Sequence, residues 1–241
     1  MIRLSVNVNK VATLRNARGG RVPDVVRAAR AAIAAGCHGI TVHPRPDGRH
    51  IRTQDVLDLA AAIEVELNVE GYPSPELLAL VRRVRPAQCT LVPDPPEALT
   101  SNAGWPLERD LDWLREPIAR LRDGGIRVSL FVDPVPAQMA RARALGVDRV
   151  ELYTERYAAA FGTADGAAAF DAYRGAALAA VEAGLGVNAG HDLDLVNLPF
   201  FARSLPGLLE VSIGHALVSD ALFMGLDAAV RAYLAALGPG A

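Results

Sequence analysis

Lysine is almost absent from this sequence. Of its 25 basic residues only Lys10 is lysine, and the others are arginine. Codon bias accounts for the arginines and makes the one retained ammonium worth following. Cysteine is scarce too. Cys37 and Cys89 form neither a CxxC pair nor a zinc spacing, and each sits beside an apolar run. Both are expected as reduced core residues of a cytoplasmic protein. Aromatic residues make up 5%, which leaves the core to aliphatic and alanine side chains. Neither sign of charge dominates. The 25 basic residues face 27 acidic ones for a net charge of −2, which excludes a broad nucleic-acid surface and leaves room for a local basic pocket. No apolar run reaches the roughly 18 residues of a membrane span, so no membrane partner is expected. The opening MIRLSVNVNK is too short and too polar for a signal peptide.

What is present is a recurrence. Short apolar or β-branched runs lie at Ile2–Val8, Gly39–Val42, Val65–Val69, Gln88–Val92, Arg127–Val132, Arg149–Leu152, Gly186–Asn188 and Leu209–Ile213. Each reads as a strand buried on both faces. Helical spacing of Ala, Leu and Val fills the intervals: Asp24–Ala35, Thr53–Glu64, Ser74–Val84, Asp112–Asp123, Pro136–Leu145, Ala167–Ala183, Leu195–Ser204 and Ala216–Leu237. Asp24, Thr53 and Ser74 are placed as helix starts, and Gly36, Gly124, Gly146 and Gly184 as left-handed C-terminal caps. Eight βα units in 241 residues predict an α/β protein of the (β/α)8 TIM-barrel class, a single domain over residues 1–241. A doubly wound open sheet is the alternative, weakened by the absence of GxGxxG after the first strand. The longest connections, Asn9–Val22, Pro93–Leu111 and Tyr153–Gly166, follow strands 1, 4 and 6 and so fall on the C-terminal face.

Barrel chemistry is carried by polar residues at the C-terminal strand ends. Those positions hold Asn7, Asn9 and Lys10; His43, Arg45 and His50; Glu70; Asp133; Glu151; Asn188 to His191; and Gly214-His215. Four of the five histidines are on this face, and only His38 lies at the other end. Each alone suits a structural role as well as a catalytic one, and their joint placement favours a site. Zinc is a competing use of histidine, but there is no HExxH. Glu70 continues an apolar strand into the mouth, where desolvation would raise its pKa and fit it for proton transfer; pairing with an arginine is the alternative. Gly190-His191 and Gly214-His215 close strands 7 and 8, where barrels hold phosphate on backbone N–H groups and a helix N-terminus. Arg15, Arg18 and Arg21 form either a solvated basic face or a second anion site on the first loop. These residues point to acid–base chemistry on small phosphorylated substrates with no nucleotide cofactor.

The stretches Asn7-Val8-Asn9-Lys10-Val11-Ala12-Thr13-Leu14-Arg15-Asn16-Ala17-Arg18-Gly19, Gly39 to Ile51, Leu67-Asn68-Val69-Glu70, Leu91-Val92-Pro93, Val128 to Asp133, Val187-Asn188-Ala189-Gly190-His191 and Ile213-Gly214-His215 resemble the motifs of the pyridoxine 5′-phosphate synthase family. The resemblance implies a (β/α)8 barrel, a homo-octamer, no metal and no organic cofactor. It implies condensation of 1-deoxy-D-xylulose 5-phosphate with 3-amino-2-oxopropyl phosphate to pyridoxine 5′-phosphate, phosphate and water. It makes His43 and Glu70 proton acceptors and His191 a proton donor. It places the amino-ketone phosphate on Asn7, Arg18, the backbone at Asp192, and Gly214-His215. The deoxyxylulose phosphate falls to Arg45, His50 and Thr100. Four positions depart from the pattern: Asn9-Lys10 stand for an Asp-His pair that contacts the deoxyxylulose phosphate, Asp192 for a glycine, and Tyr153 for a common histidine. Two further readings stay open on the residues alone: a diverged barrel with another product, and a non-catalytic binding oligomer, which would have no need of all three acid–base groups.

Overall fold

Along every strand apolar and polar side chains alternate, and the alternation decides which residues reach the barrel axis. In the computed structural model, which describes residues 1–94 and 101–238, eight parallel strands close in chain order. They are β1 (Arg3–Asn7), β2 (Gly39–Val42), β3 (Glu66–Gly71), β4 (Gln88–Leu91), β5 (Arg127–Val132), β6 (Arg149–Leu152), β7 (Gly186–Gly190) and β8 (Leu208–Ile213). Leu4 against Val211 and Val6 against Ile213 bring β1 and β8 together and complete the circle.

The helices are α1 (Asn9–Asn16), α2 (Val25–Ala34), α3 (Thr53–Ala62), α4 (Pro75–Val84), α5 (Arg115–Asp123), α6 (Met139–Leu145), α7 (Glu155–Ala160), α8 (Gly166–Glu182), α9 (Leu198–Ser204), α10 (His215–Met224) and α11 (Leu226–Ala236). The barrel expected from the sequence is therefore the fold, with local corrections. Two of the presumed loops after β1 and β6 begin as helices, α1 and α7. The last helix is two, broken at Gly225, whose φ of 84° an alanine would not adopt readily. Thr53 is inside α3 rather than its cap: the Asp55 carboxylate takes the Arg52 N–H at 2.7 Å. At the end of α5 the left-handed residue is Gly125, not Gly124.

The largest correction concerns the core. Leu4, Val6, Ile40, Val42, Val69, Leu91, Val128, Leu130, Val150 and Val211 pack outward against the helices, and this ring is the aliphatic core. The barrel axis is polar. Ser5 and Thr41 share a hydrogen bond of 2.7 Å, Thr90 donates to Asn68 at 3.0 Å, and Asn188 reaches across to Gln88 at 3.5 Å. At the bottom, Arg3 and Arg127 both bind Glu66, and Arg149 faces Glu210. His38 accepts the Leu4 N–H there, a structural use of imidazole. Buried polar groups require such partners, since each one left unmade costs about 1–3 kcal/mol.

Beside the mouth, Trp105 stacks on Tyr72 with ring centres 6.0 Å apart, and Trp113 meets Trp105 edge-on at 5.8 Å. Trp105 is fixed by its indole N–H to the Leu91 carbonyl at 2.9 Å.

Candidate active site

The first turn after β1 shapes the site from below. Asn7 accepts the Asn9 N–H through Oδ1 at 2.9 Å, and Asn9 in turn accepts the His43 N–H at 2.9 Å. Asn9 was expected as a substrate contact; its side chain is engaged in setting His43. An Asp at this position offers the same acceptor, so the Asn found here keeps that bond.

His43 ends β2 and is buried, with Nδ1 3.9 Å from Oε2 of Glu70 on β3. Burial drives both toward their neutral forms. It lowers His43 well below the ordinary imidazole value, helped by Arg45, His50 and His191, and raises Glu70 well above the ordinary carboxyl value, helped by Glu151, Asp94 and Glu210. The two therefore face each other as neutral groups rather than as an ion pair.

His191, after β7, faces the same cavity and is shifted in the opposite direction from His43. Its φ of 67° is left-handed, a conformation that costs a non-glycine residue on the order of 1–3 kcal/mol. The turn is held from both sides: the His191 N–H donates to the Ser212 carbonyl at 3.2 Å, and the buried Thr154 hydroxyl donates to the Gly190 carbonyl. Burial disfavours a charged ring, but the Asp192 carboxylate on Nδ1 at 2.9 Å outweighs it, with Glu151 and Asp94 beyond, and holds His191 above its ordinary value.

One cavity of about 800 Å³ gathers these groups, within the range that takes small-molecule ligands. Asn7, Asn9, Lys10, Arg45 and His50 line it with the acid–base residues, as do Asp192, Gly214 and His215. Lys10 is exposed on the first turn of α1, and its charge, after burial and Arg45, helps push His50 down to about 4. Gly214 caps α10, so the helix N-terminus opens on the cavity beside Asn7.

Several expected residues fall elsewhere. Arg15 is buried and bound through two nitrogens to Asp55, at 2.5 and 2.9 Å, so it builds the fold instead of binding an anion. Arg18 is exposed in the turn beyond α1 and is not among the residues lining the cavity. Arg45 reaches the cavity with its charge already opposed by buried Asp94 at 2.6 Å. The Asp192 N–H, expected to hold phosphate, donates to the Gly190 carbonyl at 3.0 Å and the Thr154 hydroxyl at 3.2 Å. Gly190 is glycine for packing: a Cβ there would lie 2.2 Å from the Ser212 carbonyl oxygen. Thr100 lies outside the described residues. Among the described residues no three His, Cys, Asp or Glu side chains are grouped as metal ligands would be.

Glu151 was given no role from sequence. It points inward from β6, buried, and its carboxyl is pushed up to about 7 by desolvation and by Glu210. The alternation Arg149-Val150-Glu151-Leu152, with the two apolar residues on the helix side, was the signal that could have found it.

A glycine at 214 also has a steric reason. A Cβ there, alanine's included, would meet Asn7 atoms at 3.0 to 3.1 Å, so alanine requires Asn7 to give by a few tenths of an ångström and valine would displace it further as well as block the phosphate approach. Gly214→Ala is the smaller change, and it presses on Asn7 as well as on the phosphate approach. It should raise the KM of a phosphate-bearing substrate about tenfold, the scale of one charge-assisted hydrogen bond, with unchanged far-UV circular dichroism. An unchanged KM would place the phosphate elsewhere.

A closed parallel barrel whose mouth converges carboxyl and imidazole groups shifted in opposed directions defines an acid–base barrel enzyme. Comparison with known proteins narrows the class. A family model described as pyridoxal phosphate biosynthesis protein PdxJ matches residues 4–238, and the chain belongs to that family. A pyridoxine 5′-phosphate synthase of Bacteroides fragilis is 54% identical over 233 residues, spanning 97% of this chain and 98% of its own length. One from Xanthomonas axonopodis pv. citri is 54% identical over 248 residues, with 99% and 97% covered. Among solved structures, a Mycobacterium tuberculosis tryptophan synthase superposes with a TM-score of 0.67 at 17% identity, covering 99% of this chain and 93% of that one, a likeness of fold alone.

Proposed function

We propose that this chain is a pyridoxine 5′-phosphate synthase that condenses 1-deoxy-D-xylulose 5-phosphate with 3-amino-2-oxopropyl phosphate to give pyridoxine 5′-phosphate, phosphate and water in vitamin B6 biosynthesis. The observation that carries the site assignment is the pairing of neutral His43 with Glu70 across one cavity from a cation-favouring His191. Imine formation, dehydration and phosphate loss each need a proton taken from one atom and given to another. Neutral His43 accepts protons, Glu70 accepts one only after giving up the proton that burial keeps on it, His191 donates, and Glu151 close behind tunes the donor. The N-terminus of α10 receives one phosphate, and Lys10, Arg45 and His50 receive the second substrate. Neither metal nor organic cofactor is needed in this scheme.

Mixing both substrates with pure protein should yield pyridoxine 5′-phosphate, identified by absorbance and mass; its absence would leave the diverged-barrel reading. Lys10→Ala should raise the KM for deoxyxylulose phosphate by about 10- to 150-fold, and that for the amino-ketone less, as expected for loss of a charge-assisted hydrogen bond. Identical kinetics would make Lys10 a bystander. The double change Asn9→Asp with Lys10→His should remain active.

Among the described residues no helix is long and apolar enough to cross a membrane. Two buried free cysteines suit a reducing cytoplasm. Exposed Leu222, Phe223 and Met224 at the end of α10 support self-association, and an octamer is the assembly expected for solution mass measurement.

A further inference from the structure

Asp192 entered the sequence reading as a residue of which only the backbone mattered. The structure gives its side chain a specific partner. Oδ2 lies 2.9 Å from Nδ1 of His191, the residue immediately before it. Adjacent residues seldom point their side chains at each other. Here the left-handed backbone at His191 turns them together, and the turn is clamped. The Asp192 N–H is held by Gly190 and Thr154, and its carbonyl accepts from Asn197 Nδ2 at 3.2 Å. Tyr153 closes the other side, its ring edge-on to the imidazole at 5.6 Å, with its hydroxyl tied to Glu155 at 2.8 Å.

We propose that Asp192 is a positioning residue for His191: its carboxylate holds Nδ1–H, fixes the ring plane and turns Nε2–H into the cavity as the donated proton. This inference rests on the proposed function, in which His191 is the donor. A carboxylate on Nδ1 has two effects on such a donor. It favours the imidazolium before transfer. After transfer it keeps the hydrogen on Nδ1, so Nε2 is the atom left bare to be reprotonated. The strained backbone at His191 acquires a reason, since relaxing it would separate the two side chains.

The other groups facing His191 bear on any pH dependence. Glu151 from β6 and Asp94 beyond β4 also favour its charged form, and His191 in turn lowers His43 from β2. His215 from α10 and Asp194 before α9 share the cavity wall. Asp192 is in direct hydrogen-bond contact with Nδ1, so its removal should leave a smaller effect from Glu151 and Asp94 in place.

The test is Asp192→Asn, which keeps an acceptor of the same shape and deletes the charge, alongside Asp192→Glu and Asp192→Ala. Removing the charge should move the alkaline limb of kcat acidward by about one pH unit, because a carboxylate this close shifts a cation by that order. Above both values, the protonated fraction and kcat fall about tenfold, since one unit is a factor of ten in protonation. KM for both substrates should stay within about twofold, since the interaction lost lies on the enzyme, whereas a substrate contact would raise KM. Asp192→Glu should restore part of the limb, and Asp192→Ala should lose more turnover than Asn. Imidazole NMR titration, with the His191 signal assigned from its absence in His191→Gln, reads the same shift without turnover. If wild type makes pyridoxine 5′-phosphate while the titration and alkaline limb of Asp192→Asn match wild type, Asp192 does not position His191. A rise in KM at constant kcat would make Asp192 a substrate contact and overturn the proposal. If wild type makes no such product, the functional reading fails, and the NMR titration still decides whether Asp192 governs His191.

Discussion

Glu70→Gln is expected to lower kcat by about 10²- to 10⁴-fold, the usual range for loss of a general acid or base. The substitution keeps the shape of the side chain and its contact with Asn68 Nδ2 at 3.4 Å, but the amide cannot exchange the proton. Steady-state kinetics should show the loss in kcat with KM little changed. The same variant should be more stable than wild type. The Glu70 carboxyl is raised by burial first and then by Glu151, Asp94 and Glu210. Above its ordinary value, near pH 4.3, an unfolded-chain glutamate releases its proton freely, and the folded protein resists that release. Folding therefore loses stability as pH climbs from that point toward the raised value. Glutamine escapes this loss, so the variant's advantage in Tm should be absent at pH 4 and present at pH 8. Retained turnover would remove Glu70 from the chemistry, and equal Tm at both pH values would contradict the electrostatic account. Activity and stability would then oppose each other at one carboxyl, as they commonly do in functional sites.

Asp55→Ala should destabilise the fold by about 3–5 kcal/mol, because it strands the buried Arg15 guanidinium. The two side chains are 12% and 8% exposed, and Arg15 also donates to the His50 carbonyl at 3.1 Å. For a chain of this length the change corresponds to a fall in Tm of about 6–20 °C. Arg15→Met combined with Asp55→Leu should recover much of the loss, since apolar residues of similar volume can replace a buried pair at little cost. Because Arg15 and Asn16 both hold the His50 carbonyl, Asp55→Ala should also raise the KM of the substrate that His50 contacts. A loss below about 1 kcal/mol would mark the pair as a surface-type bridge.

The barrel was legible because eight strand-length runs recur at barrel spacing, and the acid–base trio because His43, Glu70 and His191 end or leave those runs. Their placement around a single cavity follows from parallel strands, which bring all C-terminal ends to one face. The polar axis was missed for a physical reason. Four- to six-residue strands buried on both faces look like continuous core, yet Ser5, Thr41, Asn68 and Ser129 fall one residue out of step with their aliphatic neighbours, and that phase marked the inner wall. Arg15 was misread because spacing by three along the segment after β1 cannot show which residue finds a carboxylate 40 positions away. The Asp192 side chain was missed because a left-handed backbone at histidine leaves no mark in the sequence.

The stack of Trp105, Trp113 and Tyr72 has a spectroscopic consequence. The chain has two tryptophans, and both belong to this one assembly beside the mouth. Trp105 is 4% exposed and Trp113 48%, so a blue-shifted and a red-shifted emitter sit within energy-transfer distance. Their near-contact should also give a strong coupled signal in near-ultraviolet circular dichroism. Intrinsic fluorescence is therefore a local gauge of the segment from Trp105 to Trp113 rather than an average over the molecule, and any change in that segment on adding substrate would be read in a stopped-flow instrument without introducing a dye.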